Sequence, residues 1–121
     1  MVLSVTSRKQ ESGITVIEIG GRVTLGQERG RIEDAVLKAL NEGAQKLVLD
    51  LSEVSYIDST GIGIIAWCFG KIGQKRAHGA VAGANGLVLE VFKLTRLDTV
   101  IHFYPDMASA CERLAAASPS V

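Results

Sequence analysis

The 121-residue chain has no net charge, since its thirteen Lys and Arg are balanced by thirteen Asp and Glu. It also has no cluster of one sign, the longest basic runs being the dipeptides Arg8-Lys9 and Lys75-Arg76. Nothing in it resembles the electrostatic footprint that holds nucleic acid, so no direct nucleic-acid partner is expected. Long apolar runs are missing too: no segment reaches the roughly 18 to 20 uninterrupted apolar residues that a membrane span needs. The opening MVLSVTSRKQESG has neither the basic start nor the clean apolar core of a signal peptide. The expected location is therefore the cytoplasm, with no membrane partner. Cysteine is scarce, and Cys68 and Cys111 sit inside apolar runs without C-x-x-C spacing. That pattern predicts buried free thiols and no metal or disulfide site.

What the chain does have is 47% hydrophobic residues in a length suited to one compact domain. No internal repeat or low-complexity linker interrupts it, so a single domain over residues 1–117 is expected, with a frayed tail at 118–121. The segments LSVTSRKQ and ITVIEIGG are short, β-branched and bounded by glycine, which predicts an antiparallel pair turning near Ser12-Gly13. After GGRVTLG the period changes. Ile32, Val36, Leu37 and Leu40 fall at helical spacing, and Gly43 stands where a C-terminal cap belongs.

KLVLDLS is a nearly continuous apolar run, the form of a strand covered on both faces. A second helix is predicted from Ser59 to about Arg76, then a strand at HGAVAGA, a helix at NGLVLEVFKL with Asn85 as its N-cap, and a strand at VIHFY. Asp106 is positioned to cap a last helix through MASACERLAAA. Strands alternating with helices after a hairpin imply an α/β fold, with a mixed, mostly parallel sheet, an antiparallel N-terminal edge and about four helices.

In such sheets functional groups gather where strands end and helices begin. Here that place is YIDSTGIG, in which Asp58 is a good N-cap and Ser59 and Thr60 add two hydroxyls. A cap alone accounts for Asp58 and one hydroxyl. It leaves Gly61 and Gly63 unexplained, because glycine in a helix costs about 1 kcal/mol relative to alanine. Close approach by a partner is the reading these glycines suggest.

Three chemistries compete for Ser59. A hydrolytic nucleophile would stand in G-x-S-x-G, but Ile57 occupies the first glycine position, and His78 and His102 have no evident route to the serine. A phosphate-binding loop around Gly70-Lys71 fails at both ends, at Ile65 and at Ile72. Phosphorylation fits best: nearly two negative charges would be added at a helix N-terminus, tolerated by its dipole and opposed by Asp58. The change would block a contact without unfolding the domain, so no catalysis by the chain itself and no cofactor are expected.

Projecting residues 62–75 at about 100° per residue puts Ile62, Ile65, Phe69 and Ile72 on one face and Trp67, Lys71 and Gln74 opposite, with Ile64 at the flank. Trp67 thus points away from the predicted core, and either packs under a loop or another helix of the same domain or, if exposed, serves as an interface anchor. Tyr56 either rims the site or packs on the sheet edge. Two isolated histidines read as structural, and Leu87, Val88, Val91, Phe92 and Leu94 read mostly as core.

The stretch KLVLDLSEVSYIDSTGIGII resembles the signature of STAS domains, especially the anti-sigma factor antagonists of bacteria. The resemblance extends over almost the whole chain, and YIDSTGIG is its specific part. It implies a partner switch. An anti-sigma factor with serine kinase activity would bind the chain while Ser59 is unphosphorylated and release it on phosphorylation, and a metal-dependent phosphatase would reverse the modification. The expected contact residues are Asp58, Ser59, Thr60, Gly61, Gly63, Ile64, Trp67 and Thr24. Thr24 is a departure, since antagonists often carry Asp or Asn there, and it bears on partner identity or kinase recognition. The same domain also occurs in anion-transporter tails and stress-sensing assemblies. The main alternative is the small subunit of a lipid-transport ATP-binding cassette system, gripping an ATPase subunit with the same helix face. The leading edge strand is a natural place for two copies to pair as a homodimer.

Overall fold

The computed structural model describes residues 2–24 and 30–116. Its sheet begins with β1 (Ser4–Lys9) and β2 (Thr15–Val23), an antiparallel hairpin in register from Ser4 opposite Gly20 to Lys9 opposite Thr15. The turn is where the glycine predicted it, with Gly13 at φ +90° and its N–H donating to the Gln10 carbonyl at 2.9 Å. Helix α1 (Arg31–Asn41) buries Ile32, Val36, Ala39 and Leu40, and Gly43 follows its end at φ +93°. Leu37, expected on the buried face, is only half-buried.

Strand β3 (Lys46–Ile57), helix α2 (Ser59–Gln74), β4 (His78–Ala82), α3 (Gly86–Leu94), β5 (Phe103–Tyr104) and α4 (Met107–Ala116) complete the order. The strands lie in the sequence β1-β2-β3-β4-β5, and every pairing after the hairpin is parallel. Parallel crossovers of one hand, taken always in the same direction along a sheet, put their helices on one face. Accordingly Ile32 of α1, Ile65 of α2 and Phe92 of α3 share one core with Ile17, Leu49 and Val81 of the sheet. Among the described residues the opposite face is covered by α4 alone, whose Ala110 and Leu114 pack on Val16, Val48 and Ala80.

Several boundaries differ from expectation. Strand β3 runs past the apolar KLVLDLS through the exposed Glu53, Ser55 and Tyr56. Its pairing to β4 ends at Asp50–Ala82, whereas pairing to β2 continues to Val23–Ile57, so the part after Asp50, more than half of the strand, has one free side and tolerates polar residues. Conversely VIHFY shrinks to the two residues of β5, because a 3-10 turn (Leu97–Thr99) takes up the preceding chain. Asn85 does occupy the N-cap of α3, but its side-chain N–H donates to the Gly83 carbonyl and makes no cap bond. Asp106 accepts from the Ser109 N–H at 2.8 Å, the cap expected of it.

The apolar run on α3 is divided: Val88 and Phe92 are core, whereas Leu87 and Leu94 are exposed at 67% and 81%. Cys68 is buried and Cys111 half-buried. They pack with different cores on opposite faces of the sheet. The expected tail at 118–121, and Leu25 and Gly26 of GGRVTLG, lie outside the described residues.

Candidate functional site

The junction between β3 and α2 is built from main-chain constraints. Ile57 closes the β2–β3 ladder opposite Val23, and the Asp58 N–H reaches the Val23 carbonyl at 3.3 Å. Asp58 then turns extended, at φ −109° and ψ −175°. Its carboxylate Oδ1 accepts from the Gly61 N–H at 2.9 Å, while its carbonyl accepts from the Ile62 N–H at 2.9 Å. Asp58 therefore fills the N-cap completely, and neither following hydroxyl is needed for that role. Ser59 stands at the first helical position, exposed, with the half-buried Thr60 behind it.

The two glycines have different reasons to be there. Gly61 is buried, and a Cβ on it would overlap the Val23 carbonyl oxygen and lie 2.7 Å from Cγ1 of Ile57. The close approach it permits is made by β2 of the same chain, which corrects the expectation that an external partner explains it. Gly63 is exposed, with nothing within 4 Å of its missing Cβ. Gly70 and Gly73, which sequence reading passed over, are exposed in the same way. Helix α2 thus spends helix propensity on its outer face with no internal packing reason.

On that face Trp67 is 41% exposed, with Lys71 Nζ 5.3 Å from its ring centroid. Ile62, Ile65 and Ile72 are buried beneath, Phe69 is half-buried, and Ile64 lies half-buried at the flank, packed against the core. The buried face includes Cys68, whose thiol is pushed up to about 12 by burial and secondarily by the Glu33 carboxylate. At that value the thiol stays protonated at neutral pH and is a poor nucleophile.

A neighbour not anticipated is Arg22. It pairs with Tyr56 across the β2–β3 ladder and lays its guanidinium 4.4 Å from the tyrosine ring centroid. The signal was available: Arg22-Val23-Thr24 and Tyr56-Ile57-Asp58 are the matching ends of neighbouring parallel strands. Thr24 is half-buried directly after Val23, whose carbonyl receives Asp58, so it belongs to this junction. His78 and His102 lie elsewhere, at the start of β4 and the approach to β5. Among the described residues, no three His, Cys, Asp or Glu are grouped to hold a metal ion, and no helix is long and apolar enough to cross a membrane.

Residues 6–110 match the STAS domain. The chain belongs to the STAS domain family. This STAS domain is 35% identical over 71 residues to the anti-sigma-F factor antagonist RsfB of Mycobacterium tuberculosis, a match covering 59% of this chain and 57% of that protein. It spans about half to two thirds of the length of the curated relatives it matches. Among solved structures it is similar to an anti-sigma factor antagonist from Mycobacterium paratuberculosis, with TM-score 0.82, 22% identity and 93% of each chain covered. It is also similar to the Bacillus cell fate determinant SpoIIAA in its phosphorylated form, with TM-score 0.63, 16% identity, and 91% of this chain and 98% of that one covered. The mixed five-stranded sheet with four helices is thus the STAS antagonist fold.

Proposed function

We propose that this STAS domain is an anti-sigma factor antagonist that works by partner switching. In its unphosphorylated state it binds an anti-sigma factor through the start and outer face of α2, freeing a sigma factor for transcription. The anti-sigma factor doubles as the serine kinase: it transfers the terminal phosphoryl group of ATP to the Ser59 hydroxyl, releasing ADP and a proton, and so loses its own binding site. A metal-dependent serine phosphatase restores the binding form.

The observation that carries this reading is the exposed Ser59 beside a cap already satisfied by Asp58. Because the cap does not use the serine hydroxyl, its modification leaves the α2 start intact. The phosphate would add about −1.5 to −2 charges at the positive end of the helix dipole, which accommodates them. The same charge would be costly inside a closely packed contact, where it would be desolvated beside the Asp58 carboxylate. Thr60 would help to present the serine, and Gly63 would allow the partner backbone to come near. Ile64 and Trp67 would extend the contact along the helix, and Thr24 would border it.

The curated relatives named as anti-sigma factor antagonists support this reading over an ATPase-binding subunit of a lipid transporter. Peptide mass spectrometry of the protein from its native host, growing and stressed, tests it. The expected result is phosphate on Ser59 whose occupancy changes with condition. Unmodified Ser59 under every condition would overturn the switch.

A further inference from the structure

A second site lies at the other end of the strands from Ser59. Strand β5 has only two residues and joins the sheet opposite Val81 and Ala82, so the first part of β4 has no neighbour on that side. The Val81 N–H donates to the His102 carbonyl and the Gly83 N–H to that of Tyr104, both towards β5. By the two-residue alternation of a strand, Gly79 points its N–H and C=O to the same side, where β5 has not begun. The notch opens into a cleft of about 490 Å³ between the last turns of α2 and α4.

Among the described residues, Arg113, His78, His102 and Tyr104 border the cleft, and no Asp or Glu lines it. Phe69 and Ile72 form an apolar wall. A helix C-terminus beside the cleft would ordinarily repel an anion, and both α2 and α4 end there; the Lys71, Ile72 and Gly73 carbonyls of α2 accept from the Lys75, Ala77 and Arg76 N–H groups, and the Ala115 carbonyl of α4 accepts from Lys46 Nζ at 3.4 Å. Donors and one fixed positive charge beside an apolar wall match an amphiphilic anion.

We propose that this cleft binds a small carboxylate whose body is an aryl ring or short alkyl chain. The carboxylate faces Arg113 and the imidazoles, with the Gly79 N–H within the same notch, and the body lies against Phe69 and Ile72. The site is independent of Ser59 and of the switch.

The test is a 1H–15N correlation titration of the full chain with sodium benzoate and, separately, sodium hexanoate, to tens of millimolar. Saturable shifts are expected at His78, Gly79, Ala80 and Val100, with Ser59 to Trp67 unmoved. Removing a charge-assisted contact from the exposed Arg113 by Arg113→Gln should weaken binding about tenfold or more, and benzamide should bind wild type more weakly than benzoate by a similar factor. No saturable shift with either acid would overturn the proposal. So would equal affinity of the variant, equal affinity for benzamide, or shifts scattered over the surface.

Discussion

Replacing Gly61 and Gly63 separately by alanine should move stability in opposite directions, although both glycines lie in the first turns of one helix. At Gly61 the new Cβ would overlap the Val23 carbonyl oxygen and stand 2.7 Å from Ile57 Cγ1 and 3.0 Å from Val23 Cγ1. Both neighbours are buried and held in the β2–β3 ladder, so the helix start would have to lift. Overpacking of this kind costs about 1–3 kcal/mol, offset by the roughly 0.5–1 kcal/mol that alanine gains over glycine in a helix. The net loss of about 1–2 kcal/mol should lower Tm by roughly 3–10 °C in a domain of this size. At Gly63 only the propensity gain remains, because nothing lies within 4 Å. Gly63→Ala should therefore raise Tm by roughly 2–6 °C. Thermal unfolding of both variants beside wild type, followed by circular dichroism, reads the sign directly. A Gly61→Ala protein as stable as wild type, or a Gly63→Ala protein less stable, would refute the division of roles. In capture of the anti-sigma factor, Gly63→Ala should bind more weakly despite its higher Tm, because its methyl group enters the contact.

Ser59→Asp should reduce capture of the partner at least tenfold while leaving Tm nearly unchanged, and equal capture would sink the switch. Trp67→Ala should cost binding about 2 kcal/mol or more, roughly thirtyfold, with little change in folding; unfolding would show the exposed-face assignment to be wrong. At neutral pH an aromatic disulfide reagent should modify the half-buried Cys111 before Cys68, which should react only on unfolding or towards its raised value of about 12. Hydrogen bonds from the Ser109 side chain and N–H hold the Asp106 carboxylate below its ordinary value of 3.8. Its contribution is therefore present above that value and lost as pH falls through the lowered one. Asp106→Asn should flatten this acid limb in the exchange of the Ser109 amide.

The fold was legible where periodicity and punctuation agreed. The β1–β2 hairpin follows from alternation and Gly13, and α1 from Ile32, Val36 and Leu40 followed by Gly43. The extent of β3 was not legible, because Ser52 to Tyr56 look like loop residues until the unequal lengths of β2 and β4 show which side is wet. Asn85 illustrates a related limit: sequence located the N-cap, but the nearby Gly83 carbonyl competed for its amide. At the site, Asp58 and the exposure of Trp67 followed from local chemistry and a helical projection. The distinction between Gly61 and Gly63 did not, since it depends on Val23, 38 positions earlier in the chain, arriving beneath one glycine and not the other.

The Val23 carbonyl also bears on timing. It receives the Asp58 N–H and lies directly beneath Gly61, so the segment that presents Ser59 is braced by a neighbouring strand. Under the proposed switch, a phosphate placed on such a platform would wait for no folding or unfolding step. Its response time would be that of phosphoryl transfer, phosphate removal and partner dissociation, and a cell could retune it by changing enzyme levels alone.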